Sequence, residues 1–177
     1  MKIYLHETDG SWKLYEGDIQ AELNKRKIVI KCDRARIGEG ASIGEGASIG
    51  EGARIGEWAR IGEWARIGEG ARIGDRASIG EGASIGEWAS IGEWASIGEW
   101  ASITTTYDVV VICELGSQNS PMTAYMHKGE IWIGTGCFLG PIDKFVEQVK
   151  TVLSGTRHEK EYLAAVDYCR AKFAIKD

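Results

Sequence analysis

Residues 51–80 read EGARIGEWARIGEWARIGEGARIGDRASIG, and isoleucine returns at every sixth position of this stretch. The pattern continues in both directions, so that twelve isoleucines at a spacing of six run from Ile37 to Ile103. Alanine stands two residues before each of them. A fixed short period of this kind indicates a repeat architecture, in which each unit packs mainly on its neighbours.

The period of six predicts short strands, because an α-helix repeats every 3.6 residues and a coiled coil every 3.5. In the unit Ala-Arg/Ser-Ile-Gly-Glu-Gly/Trp, the first four residues alternate inward and outward as in a strand, and the last two turn a corner. Three strands would close one 18-residue coil. The twelve units of residues 35–106 therefore predict four coils, stacked about 4.8 Å apart to a height of roughly 20 Å.

The stretch IGEGASIGEGASIG resembles the hexapeptide repeat of left-handed parallel β-helix proteins, with a large aliphatic residue at Ile43 and a small one at Ala47. The resemblance covers the repeat segment and implies a triangular solenoid. The left-handed winding comes from the resemblance alone, since general rules for β-strand crossovers favour right-handed connections. Gly follows every isoleucine as far as Ile97, and an acidic residue follows each of those glycines. Such uniformity at positions expected to face solvent favours an engineered consensus sequence.

Residues 1–34 lack the six-residue period and predict an N-terminal β cap. The segments KIYLH and WKLYEG alternate like the two strands of a hairpin around ETDGS, whose Asp-Gly pair suits a tight turn. RKIVIKC reads as a third strand that leads into the coils.

Residues 107–177 predict a small α+β C-terminal cap. YDVVVICEL, TAYMH and GEIWIGTGCFLG read as three antiparallel strands, and two amphipathic helices follow. The segments LGSQN, PIDKFVEQV and EYLAAV are similar to a C-terminal region found after hexapeptide-type repeats in uncharacterised bacterial and phage proteins. That resemblance implies no activity. The predicted fold is thus mainly β, with a solenoid between two caps.

The charge and hydropathy of the chain argue against two classes of partner, nucleic acids and membranes. The formal net charge of −5 disfavours a nucleic-acid binder. No apolar run approaches the roughly 20 residues that span a bilayer, and the first ten residues do not resemble a signal peptide, so we expect a cytoplasmic protein without membrane association.

The distribution of reactive side chains argues against catalysis. Left-handed β-helix enzymes are mostly acyltransferases and carbonic anhydrases, and the resemblance implies histidines that project from the coils as bases or metal ligands. The three histidines here, His6, His127 and His158, all lie in the flanks. The four cysteines lack metal-site spacing, which predicts reduced, packed thiols. They are Cys32, Cys113, Cys137 and Cys169. These patterns predict a protein that is not an enzyme and has neither cofactor nor metal.

The sequence therefore predicts a designed structural repeat scaffold. The alternatives are an acyltransferase-like enzyme of the hexapeptide-repeat class and a phage-type surface or glycan-binding module. Ranks of threonine, which would suit ice binding, do not occur in the repeats.

Residues 18 apart should stack, and this defines three columns of corner residues. The first edge carries Gly40, Trp58, Arg76 and Trp94; the second Gly46, Trp64, Gly82 and Trp100; the third Gly52, Gly70, Trp88 and Thr106. We expect the tryptophans, with Arg76 stacked on an indole, to form a surface ledge through which copies of the chain self-associate. A monomer or a small homo-oligomer is consistent with this ledge. The repeat arginines are expected to pair weakly with neighbouring glutamates, with an anion site as the alternative.

Overall fold

The computed structural model describes residues 2–6, 12–17, 20–30 and 35–174, with no account of the side chains of residues 2–6 and 12. The chain divides into two compact units, Met1–Thr106 and Tyr107–Asp177. The first contains the repeats, and the second contains an antiparallel sheet with two helices.

Each repeat contributes one two-residue strand made of its second and third residues, so the four-residue strands expected from the alternation are shorter than predicted. The strands are β4 Arg36–Ile37, β5 Ser42–Ile43, β6 Ser48–Ile49, β7 Arg54–Ile55, β8 Arg60–Ile61, β9 Arg66–Ile67, β10 Arg72–Ile73, β11 Ser78–Ile79, β12 Ser84–Ile85, β13 Ser90–Ile91, β14 Ser96–Ile97 and β15 Ser102–Ile103. They form three parallel sheets in which residues 18 apart are partners, as Arg54 is with Arg72. The predicted solenoid of about four coils is confirmed.

The interior of the coils consists of alanine and isoleucine. From Ala41 to Ile103 these residues are all at most 3% exposed, while the residue between each pair points outward. Neighbouring coils are joined by backbone hydrogen bonds, in which the amide of Ser42 donates to the carbonyl of Ala59 and that of Gly44 to Ile61, both at 2.8 Å. Apolar burial and a continuous ladder of hydrogen bonds therefore stabilise the same stack.

The glycine that follows each isoleucine is not a free surface position. A methyl group on Gly62 would lie 2.6 Å from the backbone nitrogen of Glu81, in the next coil. The same close approach occurs at every such glycine from Gly38 to Gly86. Packing therefore explains why glycine recurs at this position. Its recurrence is weaker evidence for an engineered sequence than the sequence alone indicated.

The corner residues adopt the left-handed backbone region whether they are glycine or not. φ is +62° to +73° at corner glycines such as Gly40 and Gly82, and +57° to +60° at the five corner tryptophans and Arg76. The corner thus has the same left-handed backbone with glycine, tryptophan and arginine. Each bulky corner residue carries the strain that this region imposes on a residue with a Cβ atom.

The N-terminal segment contains the three predicted strands and a helix that the sequence analysis did not predict. The elements are β1 Lys2–His6, β2 Trp12–Glu16, α1 Gln20–Lys25 and β3 Val29–Ile30. β1 and β2 pair antiparallel, as predicted, and β1 continues one face of the coils by parallel pairing with β5. β3 pairs with β6. The predicted ETDGS turn and Cys32 lie outside the described residues.

The second unit has four strands where three were predicted. They are β16 Val109–Leu115, β17 Ser120–His127, β18 Glu130–Thr135 and β19 Phe138–Pro141, followed by α2 Ile142–Val152 and α3 Arg157–Ala174, and a 3₁₀ turn spans Thr106–Asp108. The predicted third strand is divided by a turn at Gly136, where φ is +53°. Both helices pack on one face of the sheet around a core that includes Met122, Ile133 and Phe145. No helix in the described part of the chain has an apolar run long enough to cross a bilayer.

Candidate functional site

The second unit contains a cavity of about 230 Å³ between one end of its sheet and its helices. It is lined by Ser117, Gln118, Ser120, Thr135, Gly136, Cys137, Phe145, Gln148, Val149, Val152, Leu153, His158 and Tyr162. Apolar walls with a few convergent polar groups are typical of small-molecule sites, although this volume lies below their usual range of about 300–1,000 Å³.

The start of α3 positions the titratable groups of this cavity. The amide of Glu159 donates to the Thr156 hydroxyl at 3.2 Å, and the Glu159 carboxylate accepts from the amide of Gly155 at 2.7 Å. This is close to a capping box, a pattern that the residues Thr156 to Glu159 carry in the sequence. It fixes the helix start at Arg157 and therefore the place of His158 in the first turn.

His158 lines the cavity and is hydrogen-bonded to Glu161, which does not line it. The Nδ1 atom of His158 lies 3.0 Å from Oε2 of Glu161, and Nε of Arg157 donates to the other carboxylate oxygen at 2.6 Å. These two hydrogen bonds, that of His158 first, lower the pKa of the Glu161 carboxyl below its usual value. Glu161 is therefore a carboxylate at neutral pH and accepts the Nδ1 proton.

A carboxylate that holds the proton on Nδ1 leaves the lone pair of His158 on Nε2. That tautomer suits a general base, because Nε2 can take a proton from a hydroxyl or amine bound in the cavity. From the sequence, His158 was expected only to lie in the C-terminal flank, with no catalytic role. The spacing of His158 and Glu161, three residues apart on a helix, is the signal that would have found the pair.

His127 lies away from this pair, buried in β17 and edge-on to Trp132 with ring centroids 4.8 Å apart. Burial, and then the neighbouring charge of Lys128, lowers its pKa. The structure does not describe the side chain of His6. Of the two histidines whose side chains the structure describes, His158 lines this cavity and His127 does not.

The lowered pKa of His127 predicts a loss of stability in mild acid. Below the ordinary histidine pKa of about 6.5 the unfolded chain binds a proton that the folded chain resists, so the free energy of unfolding falls as the pH drops through that range. We expect this contribution to disappear in His127→Gln. Urea titrations of both proteins between pH 7.5 and 5 measure the difference, and equal slopes with pH would contradict the assignment.

The described cysteines differ from the packed thiols that the sequence predicted. Cys113 and Cys137 are free and exposed, and only Cys169 of the three is buried. Cys137 is exposed because it lies in the turn that divides the predicted third strand. Burial raises the pKa of the Cys169 thiol to about 11.

We therefore expect two classes of thiol in native protein. Cys113 and Cys137 should react with iodoacetamide at neutral pH, while Cys169 should react only after unfolding, because the neutral buried thiol is a poor nucleophile. Peptide mass spectrometry of protein labelled before and after denaturation measures this. Rapid native labelling of Cys169 would contradict the packing of α3.

No group of three or more potential metal ligands occurs among the residues that the structure describes. The expectation of a protein without metal or cofactor stays a prediction.

Four of the five corner tryptophans lie on the glycines of the preceding coil, and the fifth, Trp94, lies next to Arg76. A methyl group on Gly40 would lie 2.6 Å from the Trp58 ring, and Trp88 and Trp100 lie in the same way on Gly70 and Gly82. Trp64 likewise lies on Gly46. The indoles remain 48–71% exposed. They cover the corners and stay exposed, and the predicted ledge, including the glycan-binding alternative, stays a prediction.

The predicted stacking of Arg76 on an indole occurs. Its Cζ atom lies 4.7 Å from the centroid of the Trp94 ring. The Asp75 carboxylate beside it accepts from the amide of Glu57 at 2.9 Å, which ties this irregular Asp-Arg unit to the preceding coil. On the second edge, Nζ of Lys27 lies 5.7 Å from the Trp64 ring.

The expected pairing of repeat arginines with glutamates does not occur. Within the described ranges, no ion pair within 4.0 Å involves any of these arginines. They are Arg36, Arg54, Arg60, Arg66, Arg72 and Arg76. The acidic residues lie on the turns while five of these arginines lie on the strands, so the two sets are displaced along each coil.

Comparison with known proteins identifies the repeats. Residues 34–69 match the family model described as bacterial transferase hexapeptide (six repeats). No curated protein matches. A serine acetyltransferase isoform 3 from Entamoeba histolytica, solved with cysteine, is 28% identical over 50% of this chain and 37% of its own, with a TM-score of 0.43. A mutant perosamine N-acetyltransferase from Caulobacter crescentus, solved with CoA and GDP-perosamine, is 22% identical over 45% and 46%, with a TM-score of 0.19.

The chain thus spans less than half the length of either solved structure. The family match contradicts the prediction that the protein is not an enzyme, because the matched family is one of bacterial transferases. That prediction rested on the lack of histidine in the coils.

Proposed function

The chain is a hexapeptide-repeat β-helix protein, and from this premise we propose that it is an acyltransferase-type enzyme with its general base in the second unit. The observation that supports the proposal is the contact of 3.0 Å between Nδ1 of His158 and Oε2 of Glu161 at the cavity. A base oriented by a carboxylate is the arrangement that acyl transfer to a hydroxyl or amine requires.

The proposed reaction moves an acyl group from a thioester to an acceptor. The acceptor oxygen or nitrogen attacks the thioester carbonyl while its proton passes to Nε2 of His158. The carbon–sulfur bond then breaks, and the departing thiolate takes up the proton from Nε2. Glu161 is a positioning residue here, because it holds the imidazole in the tautomer that leaves the Nε2 lone pair free.

The cavity restricts the acceptor. With about 230 Å³ it has room for a small molecule of a few heavy atoms, so a complete carrier cofactor would have to lie outside it. The hydroxyls of Ser117, Ser120 and Tyr162 line the walls and provide hydrogen-bonding groups for a polar acceptor. A small amino alcohol or hydroxy acid fits this chemistry.

A thiol-release assay tests the proposal. Purified full-length protein is incubated with acetyl-CoA and a panel of small hydroxyl and amine acceptors, and free thiol is measured against a control without acceptor. Acceptor-dependent release, with the acylated product confirmed by mass spectrometry, is the expected result. Release no faster than in buffer for every acceptor would overturn the proposal.

A cytoplasmic location belongs to the same proposal. Cys113 and Cys137 carry free, exposed thiols, and exposed thiols persist in reducing compartments. Fractionation of a producing cell followed by thiol labelling checks this location.

A structural scaffold, with repeats of engineered origin, is the second candidate. It is favoured by the acidic residue that recurs at the fifth position of the units from Glu39 to Glu99, a turn position where side-chain packing does not require one. A stack of equivalent coils should accept one further 18-residue coil with a higher unfolding midpoint, because each coil adds a similar interface. A chain that aggregates or unfolds more easily after insertion of a second copy of residues 59–76 would contradict this role.

A further inference from the structure

The first edge of the solenoid carries a basic groove of about 770 Å³. Its lining contains two guanidinium groups, two indoles and no carboxylate: Gly40, Ser42, Trp58, Arg60, Arg76, Ser78 and Trp94. The indoles of Trp58 and Trp94 are 54% and 50% exposed. Neither arginine pairs with a carboxylate in the described part of the chain. This groove therefore presents positive charge next to apolar rings.

The third edge carries a groove of the opposite charge, with a volume of about 560 Å³. Three carboxylates, those of Glu51, Glu69 and Glu87, outnumber the single guanidinium of Arg66 in its lining. The carboxylates come from successive coils, because they are 18 residues apart.

The two grooves have the same spacing along the solenoid axis. Coils are stacked about 4.8 Å apart, so the row of carboxylates repeats with the period of the groups that line the basic groove. Arg60 and Arg76 also belong to successive coils. Arg60 lies on a strand and Arg76 at a corner, so when two solenoids lie side by side the two guanidinium groups can approach carboxylates on successive coils of the other.

We infer that the basic groove of the first edge binds the acidic groove of the third edge on a second copy of this chain. The guanidinium groups of Arg60 and Arg76 meet the carboxylates of Glu69 and Glu87, and the indoles of Trp58 and Trp94 lose water at the centre of the contact. Charged pairs around a desolvated aromatic centre are a common arrangement in protein interfaces. This specifies the partner of the predicted ledge, and it does not depend on the proposed enzymatic function.

The contact is heterologous, because the two copies use different surfaces. In a dimer, one copy still has a free acidic groove and the other still has a free basic groove. A third copy can therefore bind at either end. We therefore expect assemblies larger than dimers, whose formation weakens with salt because exposed charges are screened.

Sedimentation velocity of the full chain, over a range of concentration at low and at high salt, tests the inference. The basic-groove variant Arg60→Ser with Arg76→Gly uses residues that occupy the equivalent positions in other coils, Ser42 and Gly40. The acidic-groove variant is Glu69→Gln with Glu87→Gln. Each should weaken association about tenfold or more, since loss of interfacial charge pairs commonly has an effect of this size.

A matched control is Arg54→Ser with Arg72→Ser, which removes the same charge as the basic-groove variant from a face that lines neither groove. We expect it to associate like the unchanged protein. An equal mixture of the two groove variants should form dimers and nothing larger. Each variant keeps one intact groove, acidic in the first and basic in the second, so each molecule can bind only one partner. A chain that is monomeric at all concentrations, association that salt does not weaken, a control as weak as the groove variants, or a mixture that remains monomeric would each overturn the inference.

Discussion

Replacement of His158 by Gln is expected to lower the rate of acyl transfer by about 100- to 10,000-fold, the usual contribution of a positioned general base. Glutamine retains a hydrogen-bonding side chain of similar length next to Glu161, but it cannot accept a proton at neutral pH. The loss should appear in kcat, with KM for the acceptor changed much less, because the proton is transferred in the transition state. The thiol-release assay under saturating thioester measures both constants.

The matched control for this substitution is Tyr168→Phe, which alters an exposed residue of the same helix that does not line the cavity. It should retain the rate of the unchanged protein. A His158→Gln protein that folds normally by circular dichroism and still transfers acyl groups at full rate would show that the base lies elsewhere. Activity lost in both variants would indicate damage to α3 and would contradict the assigned role.

Gly62→Ala is expected to destabilise the solenoid by about 3 kcal/mol, at the upper end of the range for overpacking. The added methyl group would lie 2.6 Å from the backbone nitrogen of Glu81. Backbone cannot rotate away as a side chain can, so the two coils must separate locally and their ladder hydrogen bonds must lengthen. Urea unfolding followed by tryptophan fluorescence measures the loss.

Gly52→Ala provides the control for this prediction. Gly52 is a corner residue with φ of +64° and no atom within 4 Å of an added methyl group. Only the left-handed backbone is then unfavourable, which costs about 1 kcal/mol. Equal destabilisation by both variants would show that neighbouring coils can move apart at little cost in free energy. That result would contradict the close approach at Gly62.

The repeat segment could be predicted almost completely because its information is local. The alternation of alanine and isoleucine identifies the inward positions, and the constant spacing places residues 18 apart on one sheet. The left-handed φ of the corners, which Trp58 and Arg76 adopt as well as the glycines, became visible only in the structure. The unpredicted helix α1 and the fourth strand of the second unit lie where no period guides the assignment.

The candidate site was predicted only in part for the same reason. His158 and Glu161 are close in the sequence, and their spacing on a helix could have indicated the pair. The cavity could not have been foreseen, because Ser117, Cys137 and Val149 come together only when a loop, a turn and a helix pack around the sheet.

The sequence by itself thus determined which positions of the repeats face inward, and its resemblance to hexapeptide repeats added the three-sided coil, and with it the number of coils and their register. Tertiary structure decided the contacts between coils and between elements. Among the coils these are the close approach at Gly62, the indoles over the corner glycines and the arginines without carboxylate partners in the described chain. In the second unit it is the cavity lined by His158. These features depend on distances between residues far apart in the chain. Such distances follow from packing in three dimensions, which no local pattern encodes.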